Sequence, residues 1–324
     1  KLGPISLPAM GFGVDGLVYG VILGALLHLL IQVPGLIKYQ FRWHARVDFK
    51  DANTRKVLRL MGPRLLSMLF IQLIFLAQDN LGSRLPEGSV SALTYGWWIM
   101  QVPQTLIGTS IATAILPTLS EMFGSQQFDA LKEKIERAAK VMLTLTVPIA
   151  IIAGMVLLPL LRLFLGLEES ATMRVVNVSQ VFLLGIVGHS LVELFVRSFY
   201  ALQKPWVPLM GSAFSLVVFI LLGIVLLPVL EAVGIVSANT VAYTLQAILL
   251  LVMLNKVLPG RLNLGSSIFK SILAAAIGGA AAYAVVNWAP GLAGSLIGAV
   301  AAFGVGILLA ALVLRKDLYQ IAEL

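Results

Sequence analysis

The chain contains no cysteine, and only 12% of its residues are Asp, Glu, Lys or Arg. The first absence rules out disulfides, thiol chemistry and cysteine metal sites, and it leaves the redox compartment open. The second excludes an ordinary soluble domain, in which about 25% of residues are charged. Histidine is scarce too, and His28, His44 and His189 do not form a ligand cluster, so no metal site is expected. No G-x-x-x-x-G-K-[ST] loop is present to cradle ATP, no H-E-x-x-H for zinc, no G-x-S-x-G elbow, and no carboxylate pair placed for hydrolysis. Gly11-x-Gly13-x-x-Gly16 has the dinucleotide spacing, but no strand precedes it and an apolar helix follows. Nothing in the sequence argues for an enzyme or for a bound cofactor. The opening Lys-Leu-Gly-Pro has neither an initiator Met nor a signal-peptide pattern, so the chain reads as a fragment lacking the first helices of a longer protein.

What fills the chain is apolar. Hydrophobic residues make up 59% of it, and the mean hydropathy is +0.96. Nine runs, at 12–36, 57–81, 90–117, 141–165, 175–201, 207–229, 233–257, 266–289 and 291–314, are long enough to cross a bilayer as helices. The expected fold is all-α, a polytopic transmembrane helical bundle of about nine spans. The connections divide by charge. Those at 38–56, 118–140, 204, 256–261 and 315–316 hold fifteen Lys and Arg, whereas the alternate set holds two, Arg84 and Arg174. Basic loops stay in the cytoplasm, so the chain is expected to start outside and end inside. The net charge of +8 is thereby a matter of membrane orientation and not of nucleic-acid binding.

Within the runs at 57–81 and 90–117 sit groups that lipid tolerates poorly: Arg64, Gln72, Asp79 and Asn80, then Gln101, Thr105, Thr109 and Thr113. A charge at mid-bilayer costs roughly 2.5–3.5 kcal/mol even on a mild scale, so such groups face protein or a wet cavity. At 100° per residue Arg64, Gln72 and Asp79 fall within an arc of about 80°. The hairpin therefore carries a polar seam, and polar seams among membrane helices point to a carrier, gate or channel. For Arg64 and Asp79 the alternative is snorkelling at the span ends.

Elsewhere the signals are structural. Gly16, Gly20 and Gly24 are spaced to let two helices approach closely. The 38–56 loop mixes Tyr39, Phe41, Trp43 and Phe49 with six cations, which suits anionic headgroups. Residues 123–140 place Phe128, Leu131, Ile135 and Ala138 on one face, as an interfacial amphipathic helix would. His189, Glu193 and Arg197, four apart, form either a relay or an i,i+4 ion pair.

The stretches at 16–36, 71–96 (IQLIFLAQDNLGSRLPEGSVSALTYG), 102–123 (VPQTLIGTSIATAILPTLSEMF) and 198–209 resemble the MurJ/MviN family of lipid II flippases, within the MOP exporter superfamily. The resemblance implies that nine helices entering from outside are numbers six to fourteen of fourteen. Residues 1–56 would be helix six and a basic loop, 57–257 a six-helix second lobe, and 258–324 two C-terminal spans with a tail. It further implies a multi-pass protein of a bacterial inner membrane that moves a polyprenyl-pyrophosphate-linked saccharide, lipid II, outward by alternating access. Family members usually carry an acidic–Arg pair and a further acid in helix eight; Trp97, Trp98 and Gln101 stand there in this sequence.

On that reading the substrate-binding candidates are Arg64, Gln72, Asn80, Trp98, Gln101 and Thr105, with Arg64 gripping phosphate. Asp79, Glu193 and Arg197 are candidates for coupling to a cation. The expected partners are the lipid-linked saccharide, membrane lipids and a coupling cation, with no nucleic acid. The alternatives are a cation-coupled multidrug or oligosaccharide-lipid exporter of the same superfamily, and a non-transporting scaffold of the cell-wall machinery.

Overall fold

The computed structural model describes residues 15–40, 52–166, 168–288 and 296–318. Among these every regular element is helical. The chain divides into two compact units, 1–57 and 58–324. The first contains α1 (Asp15–Lys38), where Gln32 Nε2 contacts His28 Nδ1 of its own helix at 3.5 Å, four residues back. Much of the 38–56 loop, residues 41–51, lies outside the described residues.

The second unit begins within α2 (Ala52–Gly82) and runs through α3 (Ser89–Gln104), a π-turn (Thr105–Thr109), α4 (Ser110–Gly124), α5 (Phe128–Leu165), α6 (Glu169–Ala201), α7 (Trp206–Val257), α8 (Gly265–Trp288) and α9 (Leu296–Leu318). Two expected runs, 207–229 and 233–257, fall in α7, which is too long for one crossing. Its backbone leaves the helix at Glu231 (φ 49°, ψ −129°). A Cβ on Gly234 would meet the Leu226 carbonyl at 2.5 Å, and one on Gly211 would meet Leu250 at 3.3 Å. Contacts that pair residues symmetrically about position 230 mean two antiparallel arms, each long enough for a crossing.

α6 is the central helix, packed on α3, α4, α5 and α7. Phe182, Phe195 and Phe199 are fully buried along it. Where it crosses the second arm of α7 there is no room for side chains: a Cβ on Gly188 would lie 3.0 Å from the Thr244 nitrogen. Thr240 Oγ1 donates to the Val181 carbonyl at 3.2 Å across that contact. Small residues that admit backbone proximity and interhelical hydrogen bonds are the usual means of holding helices together in lipid. α8 and α9 pack on α5 by the same means, with Ile152 wedged against Gly278 and Gly306.

The 123–140 expectation requires a correction. Leu131, Ile135 and Ala138 are fully buried in the main core, and Phe128–Leu165 is one continuous helix. The apolar stripe meets protein because the chain after α7 folds over it: Asn263 N donates to Glu136 Oε2 at 3.1 Å, and Leu258, Leu262 and Leu264 join the same core. Periodicity identifies an apolar stripe without saying what covers it.

The two charge classes of connection occupy opposite ends of this unit. Lys132 Nζ lies 3.2 Å from where a Gly260 Cβ would stand, uniting the basic segments. At the other end Arg174 Nη1 donates to the Glu87 carbonyl at 2.5 Å, and the Glu231 turn borders Ser170–Asn177.

Candidate functional site

A cavity of about 650 Å³ opens among α2, α3, the π-turn, α4, α6 and α7. Its wall on α2 is the stripe Arg64, Ser67, Met68, Ile71, Ile74 and Phe75, which holds to one helix face. α3 adds Trp97, Gln101 and Gln104, and the π-turn adds Thr105 and Thr109. That turn has a local cause. Pro103 brings no backbone donor, and the frame widens beyond it, with Ser110 Oγ donating to the Thr105 carbonyl at 2.9 Å. Thr113, the next residue of the expected seam, is exposed and does not line the cavity. Gly108 permits the bend to press on α6, since a Cβ there would meet Ser190 Oγ at 2.6 Å.

Toward the basic end, the Arg64 guanidinium sits over the Tyr200 ring, 5.6 Å from its centroid. Arg197 pairs with Glu193 one turn away and also donates to the Glu193 carbonyl at 3.2 Å. One cation of the wall is therefore neutralised by its own helix. Arg64 has no carboxylate partner among the described residues. It is the charge left over for an anion, and a guanidinium matches phosphate oxygens two at a time.

At the deep end the wall becomes aromatic. Trp97 meets Phe75 edge-on at 5.0 Å and His189 at 5.5 Å, while His189 stacks on Tyr243 at 3.8 Å. His189 Nε2 shares a 3.0 Å hydrogen bond with Asn239 Oδ1. This buried link ties α6 to α7, and removing one partner strands the other. Asn239→Leu is expected to lower stability in detergent by about 1–3 kcal/mol, read as a fall in unfolding temperature. An unchanged unfolding temperature would mean the bond contributes nothing.

Of the residues singled out from sequence, Arg64, Gln101, Thr105, Glu193 and Arg197 are brought together around the cavity. Gln72, Asp79, Asn80 and Trp98 are not. Gln72 is about 80° round α2 from Arg64, just past the rim. Asp79 and Asn80 lie nearer the sparsely charged end, where Asn80 Oδ1 accepts from Arg84 Nη2 at 2.7 Å. Trp98 is 58% exposed on the outer face against Tyr95, and its neighbour Trp97 takes the inward place. Gln104, Tyr200, Tyr243 and Gln246 were missed. Asn239, Tyr243 and Gln246, spaced four and three apart in an otherwise apolar run, were a legible sign of a polar helix face.

The model of a family described as lipid II flippase MurJ matches residues 5–302. The chain belongs to the MurJ family. Relatives include a probable lipid II flippase MurJ of Rhizobium meliloti (strain 1021), 28% identical over 287 residues, which are 86% of this chain and 53% of the relative. A lipid II flippase MurJ of Burkholderia cenocepacia is 26% identical over 259 residues, 77% of this chain and 50% of the relative. This chain spans about half the length of the curated relatives it matches. A solved MurJ in an inward closed conformation superposes with TM-score 0.70 at 19% identity, covering 95% of this chain and 64% of that one. A MOP superfamily transporter from Pyrococcus furiosus superposes at 0.53 and 14% identity, covering 82% and 64%. The MurJ-type fold is thus shared, and several apolar helices with this family place the chain as a multi-pass protein of a bacterial inner membrane. The family is one of transport and not of catalysis.

Proposed function

We propose that this chain forms the cargo-facing second lobe and C-terminal helices of a lipid II flippase. The protein carries the lipid-linked precursor from the cytoplasmic to the outer face by alternating access, its headgroup in the cavity and its tail in the bilayer. The observation that carries this reading is Arg64, a cation without a carboxylate partner among the described residues, in a cavity whose other cation, Arg197, is paired with Glu193. Arg64 binds pyrophosphate. Gln101 and Thr105 bind polar groups of the headgroup, and the Glu193–Arg197 pair, the acidic group of this wall, takes the coupling role with a cation. Gln72, Asp79, Asn80 and Trp98, outside the wall, are given no part in it.

The test is outer-face accessibility of lipid-linked precursor in cells depleted of the full natural protein. Accessibility should fall on depletion and return with the wild-type gene. A precursor pool that stays accessible, together with loss of drug efflux, would favour a multidrug exporter; the aromatic deep end is the feature that suits such a cargo.

The orientation is part of the proposal: chain start outside, C-terminus in the cytoplasm, and the basic end of the 58–324 unit inward. It rests on the fifteen-to-two distribution of basic residues. In this cysteine-free background Glu87→Cys is expected to react with an impermeant thiol reagent on intact cells, and Ser125→Cys only after lysis. The opposite pattern would invert the protein.

A further inference from the structure

Resting on that flippase reading, we propose that the deep end of the cavity is a saccharide subsite. Trp97 supplies a ring surface for a pyranose, and the carboxamides of Gln104 and Gln246 bind its hydroxyl or acetamido groups. Trp97 is half-buried and packed edge-on against Phe75, Phe182 and His189, at 5.0, 5.8 and 5.5 Å. Three such neighbours fix the indole before any ligand arrives, which removes an ordering cost from binding. Ring faces are electron-rich, and the C–H groups along a sugar carry slight positive charge, so the two surfaces attract.

The polar groups further along the wall point the same way, Gln104 lying on the same helix as Trp97 and roughly 10 Å along it toward Arg64. Gln104 is 7% exposed and Gln246 3%, yet neither side chain is hydrogen-bonded to another residue among the described ones, and both line the cavity. A carboxamide that opens onto the cavity with no protein partner takes its hydrogen bonds from whatever occupies that space. Its complement is a ligand rich in both donors and acceptors, as a sugar is and an apolar drug is not. The position fits one headgroup with two ends. Arg64 and Phe75 share a face of α2 and stand roughly 16 Å apart along its axis. Phosphate at Arg64 therefore leaves room for saccharide to reach Trp97.

The experiment measures binding of two probes to the purified full-length protein: polyprenyl pyrophosphate, and the same lipid bearing an N-acetylated disaccharide. The wild type is expected to bind the sugar-bearing lipid roughly three- to ten-fold more tightly. Trp97→Ala should erase that increment and leave the affinity for the bare lipid unchanged, while Trp97→Phe keeps part of it. Gln246→Leu, a change of similar size, should also reduce the increment, and it decides the matter if Trp97→Ala does not fold. Equal wild-type affinity for the two lipids, or loss of both by Trp97→Ala, overturns the subsite and leaves the flippase reading standing. Failure of the wild type to bind either lipid overturns both.

Discussion

Arg64→Ala is expected to abolish movement of lipid-linked precursor to the outer face, with the protein present and folded at normal levels. The guanidinium lies in the cavity wall over Tyr200 and without a carboxylate partner among the described residues, so its removal strands no buried counter-charge. Fold and function should therefore separate. Losing a charge-assisted contact to phosphate costs on the order of 1.5–3 kcal/mol, about ten- to a hundredfold in affinity. Arg64→Lys should recover only part of the activity, because an ammonium keeps the charge but not the planar two-pronged donor. The readout is outer-face accessibility of precursor in cells that depend on the full natural protein. Normal flipping by Arg64→Ala would make Arg64 a snorkelling anchor and move the phosphate site elsewhere.

Gly278→Leu should be the most damaging single change to assembly. A Cβ at Gly278 would stand 2.6 Å from the Gly306 carbonyl oxygen and 2.9 Å from Ile152. The carbonyl belongs to a helix backbone and cannot rotate aside, so α8 and α9 must separate. Helices in lipid gain nothing from hydrophobic burial against one another, which makes the lost packing hard to replace. Overpacking of this kind costs about 1–3 kcal/mol, and a branched side chain at a backbone contact belongs at the upper end. Ile277→Leu, one residue away on an outward-facing position, is the control. Folded yield and unfolding temperature in detergent should fall sharply for the first and barely for the second. Equal values would mean that α8 and α9 are not held by this contact.

Much of this protein was legible because a membrane leaves the chain few options. Backbone groups in hydrocarbon must be satisfied within each segment, so long apolar runs become helices whatever their detailed sequence. Hydropathy alone set the all-helical class, and loop charge alone sorted the connections that the structure gathers at two ends. The sharp turn at Glu231 was marked in advance by the acidic interruption between the 207–229 and 233–257 runs.

The cavity was legible only in part. Arg64, Gln101 and Thr105 were found because charge and polarity in a span have few explanations. Trp97 and Trp98 could not be told apart, since adjacent residues differ by 100° and only the rotation of α3 decides which faces inward. Gln104 and Gln246 come together from distant parts of the sequence and meet only through the packing of α3 and α7 on α6. Composition and charge order thus determined that this chain spans a membrane and where its polar groups lie along the spans. Which of those groups share one cavity was decided by helix rotation and by close approach at Gly108, Gly185 and Gly188, quantities set by contacts between segments and written in none of them singly.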